Sequence, residues 1–291
     1  MNTTVLVGDP VDSRIVSRQF ALRLKRRRVY GTAHLIGSDW GGLPNQDFDW
    51  AGISRFTELA EAEQARLKRA LREACRRVGI TALAVPTPKF TDKIVQPEDL
   101  KIGTDLGDGR LLLTGKVGDG LFRRWWDPVS YGLAPGGCGI LSVTDGVTGT
   151  VDAHVGLRSF IDHERPNFKG IVPAIRDCFP KKPDTILVSR LTFAIRADRF
   201  VYPLGDERYP HNSDIHKAIR RRHRSFKIQE NGGIDLLVLA RLECRKYGIE
   251  PPSGDATTWL PNERRYPTTR SPELERRKLR YFVSVHWDSS S

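Results

Sequence analysis

The sequence predicts an α/β fold with a mixed sheet (α+β in its order of elements), formed as a single domain. Three observations lead there. Residues 57–78 carry apolar side chains three or four apart, as an amphipathic helix does. Residues 138–155 read as two β-branched strands around a five-residue turn, DGVTG. Strands and helices are intermixed, without the regular βαβ alternation or the glycine-rich phosphate loops of doubly wound nucleotide-binding folds.

The elements follow in chain order. TTVLVG and RVYGTAHLIG are candidate strands, and a glycine- and aspartate-rich loop, SDWGGLPNQDFDWAG, comes after them. In the 57–78 helix, Leu67, Leu71, Ala74 and Val78 line one face. Its acids come early and its arginines late, as the helix dipole favours, and Gly79 is the expected C-cap. TALAVPTPKFTDKIVQPEDL and GRLLLTGKVG read as strand, loop and strands leading to the hairpin. NFKGIVPAIRDCF predicts a short helix from near Pro166, limited or bent by Pro173. DTILVSRLTFAIR is a strand, and SDIHKAIRRRHRSF a helix capped by Ser213. GIDLLVLARLECRKYGI is a helix stopped by Pro251 and Pro252, and LRYFVSVHW is the last strand.

Composition narrows the function classes. A chain of 291 residues, 39% hydrophobic and 28% charged, can bury a substantial core. No apolar run nears the roughly 18–20 residues that span a bilayer, so no membrane partner is expected. The opening residues lack a basic stretch followed by an apolar one, and the four cysteines are scattered. Both point to a cytoplasmic protein without a disulfide framework. The net charge of +12 gathers in RLKRRR, RRRHR and ELERRKLR, which read as solvated faces. With no zinc finger or RNA-binding signature, a nucleic-acid partner is not expected. Trp40, Trp50, Trp125 and Trp126 lie in or near loops, where they serve as core packing or as platforms for a purine.

Chemistry concentrates at the hairpin. A turn centred near Gly146 would set Cys138 directly opposite His154, with Cβ atoms about 4.5–5.5 Å apart. Such a pair suits one metal ion, a thiol with its base, or a small buried thiol beside a core histidine. Asp152 shares the face of His154 and would orient it only if the strand bends. Cys75, Cys178 and Cys244 read as buried or inert.

The motifs and their order resemble the laccase-domain family, formerly called multicopper polyphenol oxidase-like, which includes bacterial purine nucleoside phosphorylases. The chain's GC at Gly137–Cys138 and HVGLRS at residues 154–159 are similar to that family's DC and HAGWRG motifs. WGGLPNQDFDWAG, KFTDKIVQPED, IDLLVLARLECRKYGI and the RYPTTRSPELERRKLRYFVSVHW ending resemble further family segments, over a core of about residues 30–287. The resemblance implies one domain across residues 1–291 and catalytic roles for Cys138, His154 and Arg158. It also implies zinc or copper held by Cys138 and His154, and a nucleoside and phosphate as small-molecule substrates, with Arg158 on the phosphate. The chain departs from the family at three places. Phe90 stands where the family's first metal-ligating histidine is expected, Gly137 replaces an acid, and Asp39 an arginine. A third ligand would then come from His34 or His163. A metal-free alternative stays open, because the family's fold is similar to that of cysteine-dependent deamidases, in which Cys138 would be nucleophile and His154 base. So does a relative that binds a nucleoside without turnover or serves another biosynthetic reaction. The oligomeric state is left open.

Overall fold

In the computed structural model, the described residues are 4–9, 13–24, 28–38, 53, 56–100, 102–125, 127–133, 139–192, 194, 197–198, 200–207, 210–252 and 280–287. Among them the strands are β1 (Thr4–Asp9), β2 (Ser13–Arg23), β3 (Arg28–Ser38), β4 (Ala82–Ala84), β5 (Ile94–Val95), β6 (Ile102–Gly107) and β7 (Arg110–Thr114). They continue as β8 (Gly120–Arg124), β9 (Val129–Leu133), β10 (Gly139–Thr144), β11 (Gly149–Val155), β12 (Val188–Thr192) and β13 (Arg280–Trp287). The helices are α1 (Glu61–Val78), α2 (Leu157–Phe160), α3 (Ile171–Asp177), α4 (Asn212–Arg222) and α5 (Leu236–Lys246).

Two mixed sheets result. One has the order β1-β2-β3-β13-β9-β4-β7-β6, and the other β12-β10-β11-β8-β5. In the first, β4 runs parallel to both β7 and β9, whereas β13 is antiparallel to both β3 and β9. In the second, only β5 on β8 is parallel. The mixed-sheet α/β expectation therefore holds.

Side-chain alternation assigns the layers. On β4, Leu83 packs with α1 while Ala84 joins a core containing Val95, Leu121, Tyr131 and Ile140, drawn from both sheets. On β10 and β11, the odd-numbered Leu141, Val143, Val151, Ala153 and Val155 pack with the helices. The even-numbered Ser142, Thr144, Thr150, Asp152 and His154 are also buried, facing the other sheet. A strand apolar on one face and polar on the other, yet buried on both, is what positions the site.

Helix boundaries moved where local chemistry dictated. A 3₁₀ turn, Phe56–Glu58, occupies the first part of the predicted 57–78 helix, and α1 begins at Glu61, with Glu63 accepting the Ala60 N–H at 3.2 Å. Its buried face is Leu67, Leu71, Ala74 and Cys75, with Val78 only partly covered, and Gly79 closes it in the left-handed conformation (φ 75°). The helix expected near Pro166 starts at Ile171, after Gly170. Pro173 then lies in its first turn, where the missing N–H has no carbonyl to serve. Ser213 falls inside α4, which His211 precedes, so it is no cap. Asp235 caps α5, accepting from Leu237 and Val238 at 2.9 and 3.0 Å.

Candidate functional site

The hairpin turn sets the register. Asp145 Oδ1 accepts the N–H groups of Val147 and Thr148 at 2.8 and 2.7 Å, and Thr144 Oγ1 donates to the Gly149 carbonyl at 2.7 Å. These bonds centre the loop on Val147, one residue beyond the expected Gly146. Across the ladder His154 therefore faces Ile140, not Cys138. Cys138 itself, with Gly137, Asp39, Trp40, Trp50 and Trp126, lies outside the described residues.

His154 is held from the neighbouring strand. Its backbone N–H donates to the Asp119 carbonyl at 2.7 Å, and its Nδ1 lies 3.4 Å from Asp119 Oδ1. Asp119, immediately before β8, is fully buried, and His154 is 4% exposed. Burial is the strongest single influence on Asp119 and favours its neutral form. Hydrogen bonding with His154 and Thr91 together outweighs it, holding the carboxyl below its ordinary range. An ionised carboxylate at Nδ1 favours the tautomer protonated there and leaves the lone pair on Nε2.

The same carboxylate folds the loop before β5. It accepts the backbone N–H groups of Lys89, Phe90 and Thr91 at 3.4, 3.1 and 2.5 Å, and the Thr91 hydroxyl at 2.7 Å. Phe90 takes a left-handed conformation (φ 49°) that non-glycine residues rarely adopt. Its ring lies against the imidazole of His154, centroids 5.2 Å apart. The residue expected at a ligand position is thus beside His154, but it presents carbon. His34 is buried on β3, and His163 packs near His211, ring centroids 5.9 Å apart. Among the described residues, no three His, Cys, Asp or Glu side chains are grouped to hold an ion. Of the expected ligand pair, His154 alone lies among the described residues.

Arg158 meets carboxylates. Its Nη2 is 2.6 Å from Glu164 and 3.2 Å from Asp162, and its guanidinium lies 5.9 Å from the Phe90 ring centre. Arg165 shares Asp162 at 2.8 Å and donates to the Phe90 carbonyl. Asp152 turns elsewhere. It accepts from Ser142 at 2.5 Å and Trp287 Nε1 at 3.0 Å, with Arg123 at 3.4 Å, so Asp119 rather than Asp152 orients His154. Burial pushes the Asp152 carboxyl up, against those three partners. Trp125 packs edge-on against Trp287 at 6.0 Å, within the layer between the sheets. Burial pushes the thiols of Cys75, Cys178 and Cys244 up to about 12, which makes them poor nucleophiles.

Nothing in the sequence singles out Asp119. It sits between Gly118 and Gly120, where a Cβ would come within 2.7 and 2.6 Å of Val95 and Ile94. The same Gly-Asp-Gly pattern recurs at residues 107–109, where Asp108 is 58% exposed, so packing and not the local motif distinguishes the buried carboxylate.

No family model matches the sequence, and no curated protein matches it. Solved structures do. A Neisseria meningitidis protein, NMB0706, of the DUF152 type, superposes with a TM-score of 0.53 over 99% of both chains at 14% identity. The fold is similar to that of this DUF152-type protein. YlmD from Geobacillus stearothermophilus is similar, with a TM-score of 0.51, 12% identity, and coverage of 97% of this chain and 98% of its own. The likeness runs nearly end to end, and no helix among the described residues is long and apolar enough to cross a membrane.

Proposed function

We propose that this chain is a divergent enzyme of the laccase-domain type that hydrolyses a C–N bond in a purine nucleoside or related small molecule, with Cys138 as nucleophile and His154 as its base. One observation carries the reading: His154 is fixed by a buried, ionised Asp119 on one side and covered by Phe90 on the other. A carboxylate-oriented imidazole is what thiol activation requires. The three described thiols, Cys75, Cys178 and Cys244, are suppressed by burial, which leaves Cys138 as the candidate nucleophile.

In this scheme His154 Nε2 takes the Cys138 proton as sulfur bonds to the carbon that carries nitrogen. The resulting imidazolium is stabilised by Asp119. It returns the proton to the departing amine as the C–N bond breaks. Water, deprotonated by the same imidazole, then displaces sulfur and restores the thiol. Arg158 is engaged by Asp162 and Glu164, which favours water over phosphate as the second substrate.

Iodoacetamide labelling and metal analysis, with wild type beside Cys138→Ala and His154→Ala, test the reading. One fast-labelling thiol, lost in Cys138→Ala and slowed at least about tenfold in His154→Ala, is expected, together with ammonia release from adenosine or a related amine. The arrangement of His154 and Asp119 also serves a metal ligand with its carboxylate partner. Near one zinc or copper per chain, lost in both variants, with inosine cleaved only when phosphate is present, would replace this scheme with metal-assisted phosphorolysis. An unreactive thiol without metal would leave a binding protein.

A further inference from the structure

We propose that the cavity between residues 161–168 and the last turn of α4 binds a small molecule carrying one oxyanion, a phosphomonoester or a carboxylate. The cavity measures about 200 Å³, below the range of drug-sized pockets, so it suits a compact molecule or the anionic end of a larger one. Ile161, Pro166 and Ala218 give it apolar walls, and Phe168 adds a ring.

Most of the charged groups at its rim are already committed to one another. Arg222 is bound to Glu243 at 2.5 and 2.8 Å and to the carbonyls of Phe168, at 3.1 Å, and Lys169. Arg165 is bound to Asp162 and the Phe90 carbonyl, and its guanidinium lies 4.2 Å over the Phe168 ring. These contacts build the wall and hold it still.

Two groups lining the cavity are left over. His163 Nε2 is buried without a hydrogen-bond partner, its nearest acidic oxygen, on Glu164, being 3.9 Å away. Arg221 is exposed and makes no hydrogen bond or ion pair among the described residues. Asp162 is neutralised by Arg158 and Arg165, and Glu243 by Arg222 and His223, so Arg221 is the cation in excess. A forked guanidinium and a ring nitrogen on residues that line one cavity match the oxygens of a carboxylate or phosphate. A buried polar nitrogen gains when a ligand pairs it.

Isothermal titration of the full chain with phenyl phosphate and with benzoate tests the site without requiring turnover, so it stands or falls separately from the chemistry of His154. Saturable binding of at least one probe is expected, weakened about tenfold or more by Arg221→Ala and weakened also by His163→Leu. Lys217→Ala, a solvent-facing change on the same helix, should leave it unchanged. Binding of phenyl phosphate alone assigns a phosphomonoester, and of benzoate alone a carboxylate. Far-UV circular dichroism confirms that each variant is folded. Absence of saturable binding to wild type, or binding that survives both Arg221→Ala and His163→Leu, overturns the proposal.

Discussion

Phe90 and His154 lie 5.2 Å apart, ring centre to ring centre, inclined at 48°. They come from segments 64 positions apart in sequence, and Asp119 joins them by accepting from the backbone of one and pairing with the imidazole of the other. The site is therefore a three-part unit in which one buried carboxylate fixes both a strained loop and a candidate base.

Asp119→Asn should damage both. The amide keeps the shape but loses the ionised acceptor for Lys89, Phe90 and Thr91, and we expect a cost of about 2–4 kcal/mol in urea denaturation. Thiol labelling of Cys138 should slow in the same variant. Unchanged stability would show that the loop holds its conformation unaided.

Phe90→His asks whether the aromatic ring marks a lost ligand position. Restoring an imidazole donor beside His154 should raise the zinc retained after loading and desalting above that of wild type, as read by mass spectrometry. Equal metal in both proteins would rule that position out as a ligand site.

Glu243 supplies a pH dependence. Burial works against its charge most strongly, but Arg222 and then His223 outweigh that and hold its carboxyl below the ordinary range. The stabilisation is thus complete above the unfolded value, about 4.3, and is lost as pH falls through the lower folded value. Between about pH 5 and pH 3 the wild-type denaturation midpoint should fall more steeply than that of Glu243→Gln. Glu243→Leu, which strands Arg222, should cost about 3–5 kcal/mol at neutral pH.

Trp287→Phe removes one bond between the two sheets, the indole N–H to Asp152 at 3.0 Å. A loss of about 1–3 kcal/mol is expected in thermal or chemical unfolding, because Asp152 is fully buried. A neutral effect would mean that Arg123 and Ser142 satisfy Asp152 without help.

Legibility in the sequence followed how local the determinants are. The amphipathic face of α1, the helix α5 ahead of Pro251 and Pro252, and the β-branched pair β10 and β11 were readable because neighbours in sequence decide them. By contrast β6, IGTDLG, is poor in strand formers and exists through its pairing with β7. Likewise VSYGL, in β9, is short and forms between β4 and β13. At the site, His154 was visible on its hairpin, but its register depended on how Asp145 caps the turn. Asp119 lies 35 residues away, and only the pairing of β8 with β11 makes it a neighbour.

The placement of β13 bears on how the protein comes into being. Residues 280–287 are inserted between β3 and β9, so the first three strands and the remainder of the large sheet share no edge until that segment arrives. On a ribosome the β1–β3 meander emerges early, with one edge waiting while some 240 further residues are made. Closing so long a loop is slow, and an open edge invites pairing with other chains. Completion of this sheet consequently waits for residues 280–287 to be made, and the interval before it is when the nascent chain most needs protection.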